Sequence, residues 1–262
     1  MIAIATTILL TLFTIDTSLN AKTVTKVRCC STPSCFTLVV LDQLSVYHNR
    51  VYVRLDDCRA DSIICSIMIS AVLLAAGESR RMGEFKQLLL FGDKTFVETC
   101  AVNLLESHVS EVIIVTGHRD PDVRRAVGNR PVRFVHNSDY QSGMASSIKR
   151  GVEAVSQDSQ ACIIALVDQP QVGAGVINRL IQTYEQRSHP LIVIPSYEGK
   201  NGHPILFDIS LRKEILDMDS EQGLRQVVHA HANLIARVEV SSPAVLEDCD
   251  LPEDYQRMLD KT

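Results

Sequence analysis

Residues 73–89 read LLAAGESRRMGEFKQLL. An apolar run stops at Gly77, and Ser79, Arg81, Gly83 and Lys86 follow before the next apolar run. Small residues at Ala75, Ala76 and Gly77 let the backbone approach a ligand closely, and successive amides in such a turn form an anion-binding concavity. Arg81 and Lys86 add full positive charges, and phosphate is the anion this combination suits. The alternative is a surface loop with solvated charges. The spacing matches neither G-x-x-x-x-G-K-[ST] nor G-x-G-x-x-G, so the standard phosphate fingerprints do not apply. Two further stretches carry suitable groups. In LVDQPQV (166–172), Asp168 follows an apolar run that Pro170 ends. Mg2+ takes one or two carboxylates together with phosphate oxygens and water; the competing role for such an Asp is a turn or cap. In NSDYQSGMASSIKRGV (137–152), Gly143 frees the backbone. Ser146 and Ser147 there offer hydroxyls at a helix start, where anions and polar groups bind; an ordinary capped helix is the other reading.

These groups meet only if the elements between them bring them to one edge. ISAVLLAA, from Ile69, is a continuous apolar run of strand length, as expected for a parallel strand covered on both faces. TFVETCAVNLLESH has helical spacing, with Thr95 as N-cap and Glu98 three residues on. EVIIVTG (111–117), VRFVHN (132–137), ACIIALVDQP (161–170), LIVIPSY (191–197), HPILF (203–207) and LIARVEVS (234–241) read as further strands. DPDVRRAV, MASSIKRGVEAVS, AGVINRLIQTYEQR, SLRKEILDM, GLRQVVHAH and PEDYQRML read as helices. Strands alternating with helices predict an α/β fold with a mostly parallel sheet. Ligands bind such sheets at the carboxyl ends of the strands. The segments of interest are therefore 75–86, 117–120 with Gly117 and His118, 137–147, 168–172 and 199–204.

L-A-A-G-x-S-x-R-M-G-x-x-K, from Leu74 to Lys86, resembles the signature loop of the nucleotidyltransferase superfamily. More narrowly, residues 68–262 are similar to the molybdenum cofactor cytidylyltransferase family, with its MobA-like NTP transferase domain. The stretch from Asn137 through Gly143–Met144 to Ser147 resembles that family's N…GM-x-x-S segment, LVDQPQV its D-x-P strand end, and GKNGHPILF (199–207) its G-x-x-G-[HN]-P segment. DCDLPEDY (248–255) resembles its terminal D-x-D-T-P-E-D, with Leu251 in place of the Thr. The resemblance implies a Rossmann-like three-layer α/β/α nucleotidyltransferase fold and transfer of CMP from CTP to molybdopterin-type molybdenum cofactor, with release of pyrophosphate. It implies that Arg81, Lys86 and Asp168 are catalytic, and that Leu74, Ala75, Ala76, Gly77, Ser79, Gly117, Asn137, Gly143, Met144, Ser146 and Ser147 hold the nucleotide. Gln169, Gly202, His203 and Pro204 fall to the second substrate, and Asp168 with Asp250 to Mg2+. Asp250 has the alternative role of an acid complementing a helix dipole. Asn201 stands where related sequences often have Arg, which removes a fixed charge near the second substrate. Ala76 favours cytosine over guanine. The rivals are transfer to a sugar phosphate or methylerythritol phosphate, and a carrier module that binds the cofactor without chemistry. A recipient molybdoenzyme is a further expected partner, and a cytoplasmic location is expected.

The chain has 262 residues and a net charge of −5, so positive charge for an anionic ligand has to be concentrated locally, as it is at 80–86. With no Trp and no basic run, nucleic-acid binding is not indicated. Composition divides the chain near residue 67. All 12 glycines lie beyond it, while five of the eight cysteines (Cys29, Cys30, Cys35, Cys58 and Cys65) lie before it. Residues 2–14, IAIATTILLTLFT, resemble the apolar core of a signal peptide, yet the first Lys is Lys22. Three readings of residues 1–67 are open: a translated upstream region with Met68 as the start, a targeting or anchoring extension, or a small domain. Residues 68–262 form the expected transferase domain. Cys100, Cys162 and Cys249 read as small buried apolar groups.

Overall fold

The computed structural model describes residues 67–186 and 190–260 in full, and before them the backbone of four short strands. The chain divides into two compact units, Met1–Ser66 and Ile67–Thr262. In the first, β1 (Thr25–Val27) pairs antiparallel with β2 (Thr37–Val39), and β3 (Ser45–Tyr47) with β4 (Arg50–Tyr52). The apolar stretch 2–14 and the five early cysteines lie outside the described residues.

The second unit follows the expected alternation. It runs β5 (Ile69–Ala75), the hairpin β6 (Leu90–Phe91) and β7 (Lys94–Thr95), α1 (Phe96–Leu105), β8 (Glu111–Thr116), α2 (Asp120–Val127) and β9 (Arg133–His136). Then come α3 (Met144–Ala154), β10 (Ala161–Leu166), α4 (Ala174–Gln186), β11 (Ile192–Tyr197), β12 (Lys200–Asn201) and β13 (Ile205–Asp208). α5 (Arg212–Asp217), α6 (Leu224–Ala230), β14 (Ile235–Glu239) and α7 (Pro252–Leu259) complete it. Thr95 caps α1 by accepting a hydrogen bond from the Glu98 amide. α7 starts differently: Leu251 has no hydroxyl to offer, and the Asp254 carboxylate instead accepts from the amides of Asp250 and Leu251.

β10, β5, β8 and β9 are parallel neighbours, and β13 inserts antiparallel between β10 and β11. β14 adds in parallel to β11. Leu74 is level with Leu166 on one side and Val115 on the other. The loops after Ala75, Thr116 and Leu166 therefore leave from one edge. Alternate residues of β5 serve opposite cores: Ala71, Leu73 and Ala75 join a cluster with α1, α2, α4 and α7. Val72, Leu74 and Ala76 join one with α3, α5 and α6. That is a three-layer α/β/α arrangement. Gly151 lets α3 lie close on the sheet; a Cβ there would come within 2.4 Å of a Val72 methyl. Among the described residues no helix is long and apolar enough to cross a membrane.

Candidate active site

The loop that follows β5 is tied down from within. Ser79 has a left-handed backbone (φ 57°), and its Oγ accepts from the Lys86 amide at 3.1 Å while donating to Gln87 Oε1 at 3.0 Å. A 3-10 turn at Lys86–Leu88 closes the loop. None of the amides of residues 77–81 finds a backbone acceptor among the described residues. A row of open amides flanked by Arg81 and Lys86 is the anion-binding geometry the residue types suggest.

Lys86 is the centre of the charged cluster. Its Nζ lies 2.7 Å from Asp168 Oδ2 and 3.1 Å from Asp250 Oδ1, and Arg81 Nη2 lies 2.8 Å from Asp250 Oδ2. The Lys86 and Asp168 side chains are only 13% and 14% exposed, so solvent screens their attraction little. Burial works against the charged form of Lys86, but the two carboxylates outweigh it and hold the ammonium above the ordinary lysine range. Asp168 Oδ1 is buried and has no hydrogen-bond partner among the described residues. A buried carboxylate oxygen without a donor is costly unless something binds it. Asp168 and Asp250 could thus hold a divalent cation beside phosphate oxygens, with Asp168 Oδ1 available as a ligand oxygen. Among the described residues no set of three or more His, Cys, Asp or Glu is arranged to hold a metal by itself.

Residues 245–250 lie across the strand ends. The Cys249 amide bonds to the Asp168 carbonyl (3.0 Å) and the His203 amide to the Val245 carbonyl (2.9 Å). Gln169 is buried and donates to Asp248 Oδ1 at 2.8 Å and to the Val245 carbonyl at 3.3 Å. Asp248 is pushed up from the usual carboxylate range by burial and by the charge of Asp168. Burial pushes the His203 imidazole down, with Asp168 only partly offsetting it, and its Nδ1 is buried without a partner among the described residues. Gly202 sits against this segment so closely that a Cβ would come within 2.2 Å of the Val245 carbonyl oxygen. That contact is with backbone, so Gly202→Ala has to move either His203–Pro204 or residues 245–250. If this segment takes the second substrate, as the resemblance implies, the variant is expected to raise KM for that substrate about tenfold with nucleotide binding nearly unchanged, because a displacement of this size spoils alignment. Steady-state kinetics with each substrate varied in turn would measure both.

On the α3 side of the sheet a cleft of about 280 Å³ opens beside Lys86 and Asp168. Leu74, Ala76, Gly77, Gly143, Met144 and Ser147 line it, as do Gln87, Tyr140, Leu166 and Val167. Asn137 is buried behind the wall, and its amide donates to the hydroxyls of Ser146 (2.9 Å) and Ser147 (3.0 Å). Gly117 is required by packing: a Cβ there would lie 2.8 Å from both the Ala76 carbonyl oxygen and the Tyr140 side chain.

The residues singled out from the sequence thus gather at one edge. Most of the nucleotide set lines the cleft, Asn137 and Gly117 stand behind it, and Arg81, Lys86, Asp168 and Asp250 form the charged side. Gln169, Gly202 and His203 border residues 245–250, and Pro204 lines a small pocket that Gln169 also lines. Three residues in or beside the site escaped sequence reasoning, Gln87, Tyr140 and Arg237, while Asp248 stood in the DCDLPEDY stretch without a role of its own. Arg237, on β14, donates from Nε to Asn201 Oδ1 at 3.1 Å, so a guanidinium from another strand reaches the position that lacks its own. Gln87 had little local signal, since a Gln directly after Lys86 reads as a solvated loop residue. Arg237 had none, because only strand order brings it near.

An α/β/α fold with a basic loop after its first strand, facing the carboxylates of Asp168 and Asp250, fits a nucleotidyltransferase, and the comparisons with known proteins show that the chain is an enzyme of that class. It belongs to the MobA-like NTP transferase domain family, whose profile matches residues 71–234. Nicotine blue oxidoreductase of Paenarthrobacter nicotinovorans is 30% identical over 197 residues, 73% of this chain and 96% of its own length. Molybdenum cofactor cytidylyltransferase of Escherichia coli is 26% identical over 188 residues, 71% of this chain and 93% of its own. A solved nucleotidyl transferase from Methanothermobacter thermautotroptrophicus superposes with a TM-score of 0.65 at 27% identity, covering 74% of this chain and 97% of its own.

Proposed function

We propose that the enzyme transfers CMP from CTP to the phosphate of a molybdopterin-type molybdenum cofactor, giving the cytosine dinucleotide form and pyrophosphate. One observation carries the transferase chemistry: Lys86 lies between two carboxylates, beside an open amide row and a nucleotide-sized cleft. In this reading a phosphate oxygen of the cofactor forms a bond to the α-phosphorus of CTP as the bond to the pyrophosphate oxygen breaks. The nucleophile is already ionised near neutral pH, so no general base is required. Positioning and charge neutralisation supply the rate. Lys86 and Arg81 turn from the carboxylates to the triphosphate and neutralise the charge that builds on pyrophosphate. Asp168 and Asp250 would hold Mg2+. Bound there, Mg2+ supplies charge neutralisation and polarises the phosphoryl oxygens. His203 and Gln169 belong to the acceptor side in this reading, Gln169 through residues 245–250, which it braces. Residues 1–67 fall outside the transferase domain in this reading.

Cytosine is favoured by Ala76, whose methyl group narrows the cleft floor, and by the cytidylyltransferase among the relatives. Another relative carries an oxidoreductase name, but the cation–carboxylate cluster suits phosphoryl transfer. Pyrophosphate release by the full chain with Mg2+ and molybdenum cofactor tests the reading. CTP is expected to exceed GTP in kcat/KM by about tenfold or more, the discrimination that a small change in pocket size gives. Equal or better use of GTP overturns the base assignment. Turnover of CTP only with a sugar phosphate or methylerythritol phosphate overturns the acceptor.

A further inference from the structure

The Gln87 side chain belongs to a residue with no exposed surface, directly after Lys86 and beneath the loop. Its Nε2 donates to the Gly77 carbonyl at 2.8 Å and lies 3.4 Å from the Ala75 carbonyl, and its Oε1 accepts from Ser79 Oγ at 3.0 Å. The orientation of the amide is unambiguous, since two carbonyls face the nitrogen and a carbonyl cannot donate. Ser79 extends the network, because its Oγ also takes the Lys86 amide. One buried amide therefore grips the loop at Ala75, Gly77 and Ser79, and through Ser79 at Lys86.

In a trans peptide the N–H points opposite to the preceding C=O. Drawing the carbonyls of Ala75 and Gly77 toward Gln87 turns the amides of Ala76 and Glu78 the other way. Of these two, Glu78 lies in the row 77–81 whose amides have no backbone acceptor among the described residues, and Ala76 stands directly before that row. Gly77 leaves the loop free to turn, and Ser79 sits in a left-handed conformation that an L-residue disfavours, so the loop needs an outside tie to keep its peptide planes aligned. Burying a polar amide without full pairing is costly, and among the described residues the Gln87 side chain bonds to this loop alone.

We propose that Gln87 is the positioning residue of the nucleotide site: it sets the peptide planes of the loop so that the amides meet the anionic nucleotide, and it orients Lys86 through Ser79. The inference rests on the nucleotide reading above, but not on the identity of the acceptor. Gln87→Met keeps the length and nearly the volume of the side chain and removes both the donor and the acceptor. Gln87→Glu keeps the shape and the acceptor and sets a carboxylate against two carbonyls. Calorimetric titration of the full-length chain with CTP and Mg2+ tests the idea without any acceptor. Both variants are expected to bind CTP about tenfold to a hundredfold more weakly, the range for losing one or two hydrogen bonds to an anion. In turnover assays the same change appears in KM for CTP, with KM for the acceptor unchanged. A melting temperature close to that of the parent shows that the variants fold. A purely structural role predicts the reverse: a lower melting temperature and less active protein, with unchanged CTP affinity in the folded fraction. That result overturns the inference. Failure of the parent chain to bind CTP or any other nucleoside triphosphate overturns the underlying nucleotide reading instead. Ser79→Ala provides a second arm. If Gln87 acts through Ser79, the losses in CTP affinity in Gln87→Met and Ser79→Ala do not add in the double variant; full additivity overturns that part.

Discussion

Asp168→Asn is expected to lower kcat about a thousandfold while CTP binding weakens far less. Asparagine has nearly the same shape and keeps one carbonyl oxygen. It removes the negative charge that faces Lys86 at 2.7 Å and the unpaired Oδ1 that is free to take a metal. Loss of a metal-binding carboxylate at a reacting phosphate removes several kcal/mol of transition-state stabilisation, and about 4 kcal/mol corresponds to the thousandfold effect. In the proposed reading most of the nucleotide contact lies elsewhere, along the amide row and the cleft walls, so affinity is expected to be largely kept. Single-turnover pyrophosphate release and CTP titration, run on the same preparation, separate the two quantities. A variant that keeps more than about a tenth of parental kcat would remove Asp168 from the reacting centre. A non-catalytic carrier would keep cofactor binding and show no pyrophosphate release in parent or variant.

The second large effect concerns stability as well as rate. Lys86→Met takes away the ammonium that separates Asp168 from Asp250. Removing one partner of a buried ion pair costs about 3–5 kcal/mol, because a charge stays buried without compensation. The low end applies here, since the Asp250 side chain is 29% exposed and Arg81 remains beside it. The variant is therefore expected to unfold at lower denaturant concentration than the parent. Millimolar Mg2+ should restore much of the loss, because the carboxylates it needs are no longer occupied by Lys86. The parent should respond less, since there the divalent ion has to displace an ammonium. The same substitution should lower kcat by about a hundredfold or more through the loss of a cation at the leaving group. Denaturant curves with and without Mg2+ check the stability claim independently of turnover. An equal Mg2+ effect on both proteins would mean that Asp168 and Asp250 do not form the metal site.

Most of the fold was legible because its signals are local. The period-2 split of β5 between two cores, the Thr95 cap on α1 and the Asp–Pro start of α2 depend on residues only a few positions apart. The antiparallel placement of β13 between β10 and β11 was not legible, because strand order depends on which crossover packs best. Within the site, Lys86, Asp168 and the Gly143–Ser147 segment could be found from residue type and position after a strand. Asn137 was found by resemblance, and the structure places it as the brace of Ser146 and Ser147.

By itself the sequence determined the alternation of strands and helices, the edge at which their loops emerge, and the chemical types that gather there. Local hydrogen bonding and apolar periodicity suffice for each. Only the tertiary structure decided who faces whom. Lys86 meets a carboxylate 82 residues away and another 164 residues away, since β5 and β10 are neighbours in the sheet and residues 245–250 cross above them. Arg237 reaches Asn201 because β14 adds to β11. Gln87 became a brace because the loop folds back over it, leaving its buried amide two carbonyls and a hydroxyl to satisfy. Such pairings follow from the packing of distant segments, where the cost of an unpaired buried polar group selects the arrangement that satisfies it.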